Sequence, residues 1–204
     1  MKNFSEYLKR PQVYKLPPLE SFDKEKIIKE IYKGCKKDNG VGQTEGYRPN
    51  IAENGSSNFG GYQSSRNDEY FPITLRYFKK RLESPEGIDF PHQIISAWAN
   101  INKKGDFNSP HHHGPYGFSA ILFVTDSPGL QFIDLSVHGY PQHLINHIDG
   151  KSGEMIIFPS PYLHWVLPSK SEEDRITFAV NIEVLDSVYD NLYTRAYGQR
   201  SLNN

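Results

Sequence analysis

At 204 residues the chain is long enough to bury a core, and its 37% hydrophobic and 13% aromatic content (13 Tyr, 12 Phe) suits a bulky, β-rich one. Its formal net charge of −1, from 23 basic and 24 acidic residues, leaves no cationic field to hold nucleic acid. Cys35 is the lone cysteine, which excludes an intrachain disulfide and fits a reducing compartment, and no apolar run approaches the ~18 residues of a membrane span.

The first segment, PQVYKLPPLESF, reads as an extended arm, because its prolines remove donors and hold the backbone open. In DKEKIIKEIYKGCKK, residues Ile27, Ile28, Ile31, Tyr32 and Cys35 form a helical stripe, with Ser21 as its expected cap. GSSNFGGYQS is a loop of conformationally permissive residues, in which Gln63 is a candidate substrate contact or part of a lid. A second helix is expected from FPITLRYFKKRLE, where Phe71, Leu75, Phe78 and Leu82 share a face and Pro72 opens the first turn.

From residue 92 onward the pattern turns to short β-branched and aromatic runs: HQIISAWANIN, GFSAILFVTD, LQFID, EMIIFPS, YLHWVL and RITFAVNIEV. Helices followed only by strands imply an α+β, mainly β chain. The natural architecture is a double-stranded β-helix, or jelly roll, with the N-terminal helices supporting one sheet. The expected organisation is one domain over 1–204: arm and helices over 1–90, β-helix core over 91–183 and a polar tail over 184–204. SVHGYPQHLINHID, with His138, His143 and His147, reads as a long polar surface insertion, and Asp106 as turn chemistry.

Three consecutive histidines stand in NSPHHHGPYG. If the strand reading GFSAILFV begins at or just before them, alternation points His111 and His113 one way and His112 the other. Imidazole pairs of this kind suit Fe, Zn, Cu or Ni. His164 in FPSPYLHWVL, at another strand entrance, is the candidate third ligand. Arg175 opens the apolar strand RITFAVNIEV, with Thr177 on the same face. A guanidinium fork beside a hydroxyl makes a carboxylate receptor, although Arg175 could instead pair with Glu172, Glu173 or Asp174 at the surface. Clamp and receptor together describe a site that chelates a keto acid to iron and grips its far carboxylate. Asn100 and Asn102 share a face of WANIN and are candidate cosubstrate contacts, while Trp98 and Tyr116 are candidate substrate contacts.

The stretches GGYQS, WANINKKGDFNSPHHHGPYGFSAILFV, GEMIIFPSPYLHWVLPS and EEDRITFAVN resemble a family of 2-oxoglutarate/Fe(II)-dependent oxygenases found in bacteria and phages. That resemblance implies Fe(II) on His111, His113 and His164, and 2-oxoglutarate on Arg175 and Thr177. It also implies O₂ as co-reactant and the hydroxylation of a small molecule or protein side chain. The wider superfamily places a carboxylate where His113 stands. Two explanations are open: a three-histidine site, which strand alternation favours, or a carboxylate from elsewhere, for which Asp134 is the candidate. The expected location is the cytoplasm of a bacterium or of a phage-infected cell, with neither membrane nor nucleic acid as partner and no signal for an oligomeric state. Two rivals make different demands. A cupin-type three-histidine dioxygenase would leave Arg175 structural, and a non-catalytic jelly-roll module holding zinc would want a fourth protein ligand.

Overall fold

The computed structural model describes residues 13–38, 57–65, 68–114, 117–133 and 145–185. Tyr116, Asp134, His138, His143 and the tail beyond 185 lie outside them, as do the expectations attached to these residues. In chain order the elements are β1 (Tyr14–Leu16), α1 (Lys24–Cys35), β2 (Asn58–Phe59), β3 (Tyr62–Gln63), a 3₁₀ turn (Asp68–Tyr70) and α2 (Pro72–Leu82). There follow β4 (His92–Asn102), β5 (Phe107–His111), β6 (Phe118–Phe123), β7 (Ser127–Ile133), β8 (Ile145–Gly150), β9 (Met155–Pro159), β10 (His164–Val166) and β11 (Arg175–Val184). Among the described residues no helix is long and apolar enough to cross a membrane.

The strands form two antiparallel sheets of the double-stranded β-helix type, one ordered β1-β9-β6-β11-β4-β3 and the other β2-β5-β10-β7-β8. Period-2 alternation along β11 divides the labour. Ile176, Phe178, Val180 and Ile182 face outward into a core shared with Ile27 and Ile31 of α1, Phe78 and Leu82 of α2, and Phe71 just before α2. The alternate residues Arg175, Thr177, Ala179 and Asn181 face the space between the sheets. A smaller apolar cluster, Phe123, Leu130, Phe132, Ile156 and Phe158, closes that space on one side.

The helices support the six-stranded sheet as the apolar stripes require, but their caps differ from expectation. Asp23, not Ser21, caps α1 by accepting from Lys26 N at 3.1 Å. Ser21 lies too far upstream for that bond, and its hydroxyl accepts from Lys80 Nζ at 3.2 Å instead. At α2, Phe71 offers no capping side chain. Glu30 of α1 does so from outside, accepting from Ile73 N and Thr74 N at 2.7 Å each and from Thr74 Oγ1 at 2.6 Å.

Two further expectations are corrected. The polar stretch around His147 contains β8, which pairs with β7 at a sheet edge. Most of its side chains remain solvent-exposed there, and Ile145 and Ile148 fall on opposite faces, so no apolar alternation announces the strand. The histidine run also does not lead into the GFSAILFV strand. It ends β5 at His111, and β6 begins at Phe118.

Candidate functional site

His111 closes β5 and His164 opens β10, and the two strands pair so that these residues stand opposite one another. Their ring centroids are 4.3 Å apart. His113 lies beyond the end of β5, where its backbone N–H donates to Ser160 O at 2.9 Å, and its ring returns to the same place. The ring centroid of His113 is 5.0 Å from that of His164 and 5.1 Å from that of His111. Convergence of His111 and His113 therefore comes from a strand end plus a fastened loop, not from alternation along one strand. His112 is exposed, and its Nδ1 accepts from Gly114 N at 3.1 Å.

One ligand atom from each of the three imidazoles falls within 4.8 Å of the others, a group that could hold a metal ion. The donor chemistry fits. His111 Nδ1 donates to Ser109 O at 2.7 Å and His164 Nδ1 donates to Tyr162 O at 2.9 Å, which leaves the Nε2 lone pairs facing inward. His113 Nε2 lies 3.2 Å from His164 Nε2. Two nitrogens bound about 2.1 Å from one ion at right angles would stand about 3 Å apart. Burial lowers the pKa of His111. It lowers that of His164 further, aided by the charges of His111 and His113, so both rings favour the neutral, ligating form. Phe158 and Phe132 pack on His164, with centroids 4.8 and 5.5 Å away.

Arg175 is only 3% exposed although it opens its strand. Its guanidinium donates from Nη1 to Leu167 O at 3.0 Å and from Nη2 to Asp106 O at 3.5 Å. Among the described residues it has no carboxylate partner in an ion pair. Glu172 is taken by Lys104, and Asp174 accepts from Tyr32 Oη at 2.6 Å. Burial pulls the Arg175 pKa down to about 10, against the opposing charge of Asp106, so it stays cationic at neutral pH. Thr177 is two residues on and faces Asn100, whose Nδ2 donates to Thr177 Oγ1 at 3.3 Å. The threonine proton thus remains to be donated elsewhere.

These groups line one cavity of about 360 Å³. His111, His113, His164, Arg175, Thr177, Asn100, Asn102, Trp98 and Gln63 are all on its wall. Trp98 lies 5.4 Å from the ring of His113, centroid to centroid. Gln63 is opposite Asn100, where β3 pairs with β4. The GlyGly turn before it needs glycine: at Gly61, with φ +63°, an added Cβ would stand 2.5 Å from Ile101 O. Asn102 is committed differently from Asn100. Its Nδ2 donates to Asn58 Oδ1 at 3.0 Å, beside Asn108 Nδ2 at 3.2 Å on the same oxygen, in an amide cluster that ties β2, β4 and β5 together. The wall also holds Asn108, Ser109 and Asn181, which lie inside the quoted motifs but carry no role in the sequence reading. Asn181 could have been found by continuing the alternation from Arg175 and Thr177. Asn108 becomes visible only once β5 is known to be a separate strand.

Comparison with known proteins agrees with this arrangement. Residues 96–181 match the family described as "Putative 2OG-Fe(II) oxygenase". No curated protein matches the chain in sequence. Among solved structures, HygX from Streptomyces hygroscopicus with nickel and 2-oxoglutarate bound is 12% identical, with a TM-score of 0.61 over 90% of this chain and 87% of its own. The non-heme alpha ketoglutarate dependent carbocyclase SnoK from nogalamycin biosynthesis is 11% identical, with a TM-score of 0.66 over 96% and 90% of the two chains. A Pseudomonas putida prolyl-4-hydroxylase is 13% identical, with a TM-score of 0.55 over 89% and 97%. At these identities the structural likeness is one of fold.

Proposed function

We propose that this chain, whose segment 96–181 matches the 2OG-Fe(II) oxygenase family, is an Fe(II)- and 2-oxoglutarate-dependent oxygenase. In finer terms we read it as a hydroxylase of a small molecule or protein side chain, working as one domain in the cytoplasm of a bacterium or phage-infected cell. The observation that carries the reading is a single cavity with three converging imidazoles and a buried guanidinium that lacks a carboxylate partner among the described residues.

In this reading His111, His113 and His164 would hold the iron, with the lone pairs of His111 and His164 kept inward by their carbonyl partners. When bound, iron and 2-oxoglutarate supply the oxidation: 2-oxoglutarate and O₂ become succinate and CO₂ while the substrate gains one oxygen atom. Arg175 offers a planar fork to the distal carboxylate, already aimed by Leu167 O and Asp106 O. Thr177 adds a hydroxyl donor beside it, turned by Asn100. Phe132 and Phe158 keep water from the rear of His164. Trp98 and Gln63 stand on the wall where a substrate would enter.

A cupin-type dioxygenase has no use for a buried arginine on this wall, and a closed zinc site would want a fourth ligand beside the three grouped among the described residues. The deciding experiment is an anaerobic titration of the Fe(II)-loaded protein with 2-oxoglutarate, followed by the visible charge-transfer band of a chelated keto acid. The expected result is a saturable band that needs more 2-oxoglutarate in Arg175→Ala and is lost in His164→Ala. Iron binding without a band at any concentration would overturn the cosubstrate assignment.

A further inference from the structure

A hydrogen-bond chain, half-buried at its start and buried at its end, runs across the six-stranded sheet to the loops that carry two of the three histidines. It begins on β4, where Ser96 Oγ accepts from Asn181 Nδ2 of β11 at 3.0 Å. Asn181 Oδ1 accepts from Ser119 Oγ of β6 at 3.1 Å, which commits the one proton of Ser119. The 3.0 Å contact between Ser119 Oγ and Ser160 Oγ must therefore be donated by Ser160. The hydroxyl protons of Ser119 and Ser160 thus each have one assignable direction. Ser119 and Ser160 are almost completely buried, at 2% and 1% exposure.

Ser160 fastens both loops. Its N–H donates to Gly117 O at 3.0 Å and its carbonyl accepts from His113 N at 2.9 Å, so it holds the β5–β6 loop from two sides. Ser160 itself belongs to the β9–β10 loop, which delivers His164. The chain also meets a bulge: Asn181 pairs with Ser96 but Ile182 pairs with Ile94, leaving Ile95 as the extra residue. Such a bulge re-aims neighbouring side chains and costs ladder bonds. The next inward residues along β6 and β11, Ile121 and Ala179, and Phe158 opposite Ser119 are apolar, so the chain is the polar link between this end of the sheet and the histidine loops.

We propose that Ser160, backed by Ser119 and Asn181, is a positioning residue that sets the spacing of His113 against His164 and thereby the metal affinity of the site. The inference rests on the metal-site reading above. It assigns no contact between these residues and the metal; they act through the backbone of His113 and the loop to His164.

The test is a Co(II) titration followed by visible absorption, on wild type, Ser160→Ala, Ser119→Ala, Asn181→Leu and Ser160→Thr, with thermal unfolding of each metal-free protein alongside. Removing outer partners of metal ligands typically costs roughly tenfold to a hundredfold in affinity, and that loss is expected for the three variants that break the chain. Ser160→Thr, which keeps the hydroxyl, should retain the affinity. The double variant Ser160→Ala/Asn181→Leu should lose no more than the worse single variant, because the groups act in series. Should Ser160→Ala fail to fold, Asn181→Leu carries the same expectation from further along the chain. Wild-type affinity to within about a factor of two in the variants would overturn the inference alone. So would a loss that only tracks a lowered unfolding temperature. A wild type that binds no Co(II) would remove the metal reading itself, and this inference with it.

Discussion

Arg175 shows how burial changes the meaning of a residue that would be ordinary on a surface. A strand-end arginine near Glu172, Glu173 and Asp174 would be worth ~0–1 kcal/mol as an exposed ion pair. Here it turns inward, fixed by two carbonyl oxygens, with its remaining donors unspent on any carboxylate among the described residues. Arg175→Lys keeps the charge but loses the fork, and should weaken 2-oxoglutarate binding about tenfold, or ~1.4 kcal/mol, in the keto acid titration. Thr177→Val removes one donor to a charged group and should cost ~1.5–3 kcal/mol in the same measurement. The guanidinium is a base that loses its charge only as pH rises through its folded value of about 10, so affinity should stay level through neutrality. Cys35 illustrates the opposite outcome. Burial, with Asp38 nearby, pushes its thiol up to about 11. It should resist iodoacetamide at neutral pH in the folded protein and react readily in urea, as mass spectrometry of the alkylated chain would show.

Between elements, the helices do more than cover a sheet. Glu30 of α1 satisfies the first N–H groups of α2, a cap that no local sequence motif encodes because donor and acceptor come from different helices. Glu30→Ala should therefore destabilise the protein by ~1–2 kcal/mol in urea unfolding, the range of a lost helix cap. At the far end of α1, Asp38 accepts from Tyr62 Oη at 2.8 Å and from Ser65 N at 2.6 Å, tethering β3 and with it Gln63 on the cavity wall. Elements whose side chains alternate against a core were legible in the sequence: both helices, β4 and β11. Elements too short or too polar to show an alternation were not. Ile145 and Ile148 of β8 fall on opposite faces, and β2 and β3 are two residues each, too short for any periodicity. The histidine clamp was legible for a partly mistaken reason. His111 and His113 do converge, but through the Ser160 anchor rather than through strand alternation. That distinction depends on a contact between loops far apart in the chain, which no local pattern carries.

At the scale of the molecule, one alternation settles both stability and site. Along β11, Ile176, Phe178, Val180 and Ile182 join the core shared with the helices while Arg175, Thr177, Ala179 and Asn181 line the cavity, so core and cavity share a strand without sharing side chains. This is why the strands could be read as a core while the inner face was read separately as a metal and carboxylate site. Phe178 is the residue on which the division can be tested. It is fully buried, with Phe71 and Phe78 of the α2 region 5.7 and 5.9 Å away between ring centroids. Its neighbours along the strand, Thr177 and Ala179, lie on the cavity wall. Phe178→Ala deletes a ring from the joint between helices and sheet and should cost ~3–5 kcal/mol. If helices and sheets form one cooperative unit, circular dichroism and tryptophan fluorescence should follow the same urea transition, moved to lower denaturant. Under native conditions the variant's Co(II) affinity should remain near that of wild type, because no histidine contact is touched. Separate transitions for the two probes would mean that the helices melt on their own. A Co(II) affinity that fell along with stability would mean that the outer face supports the metal site more directly than alternation implies.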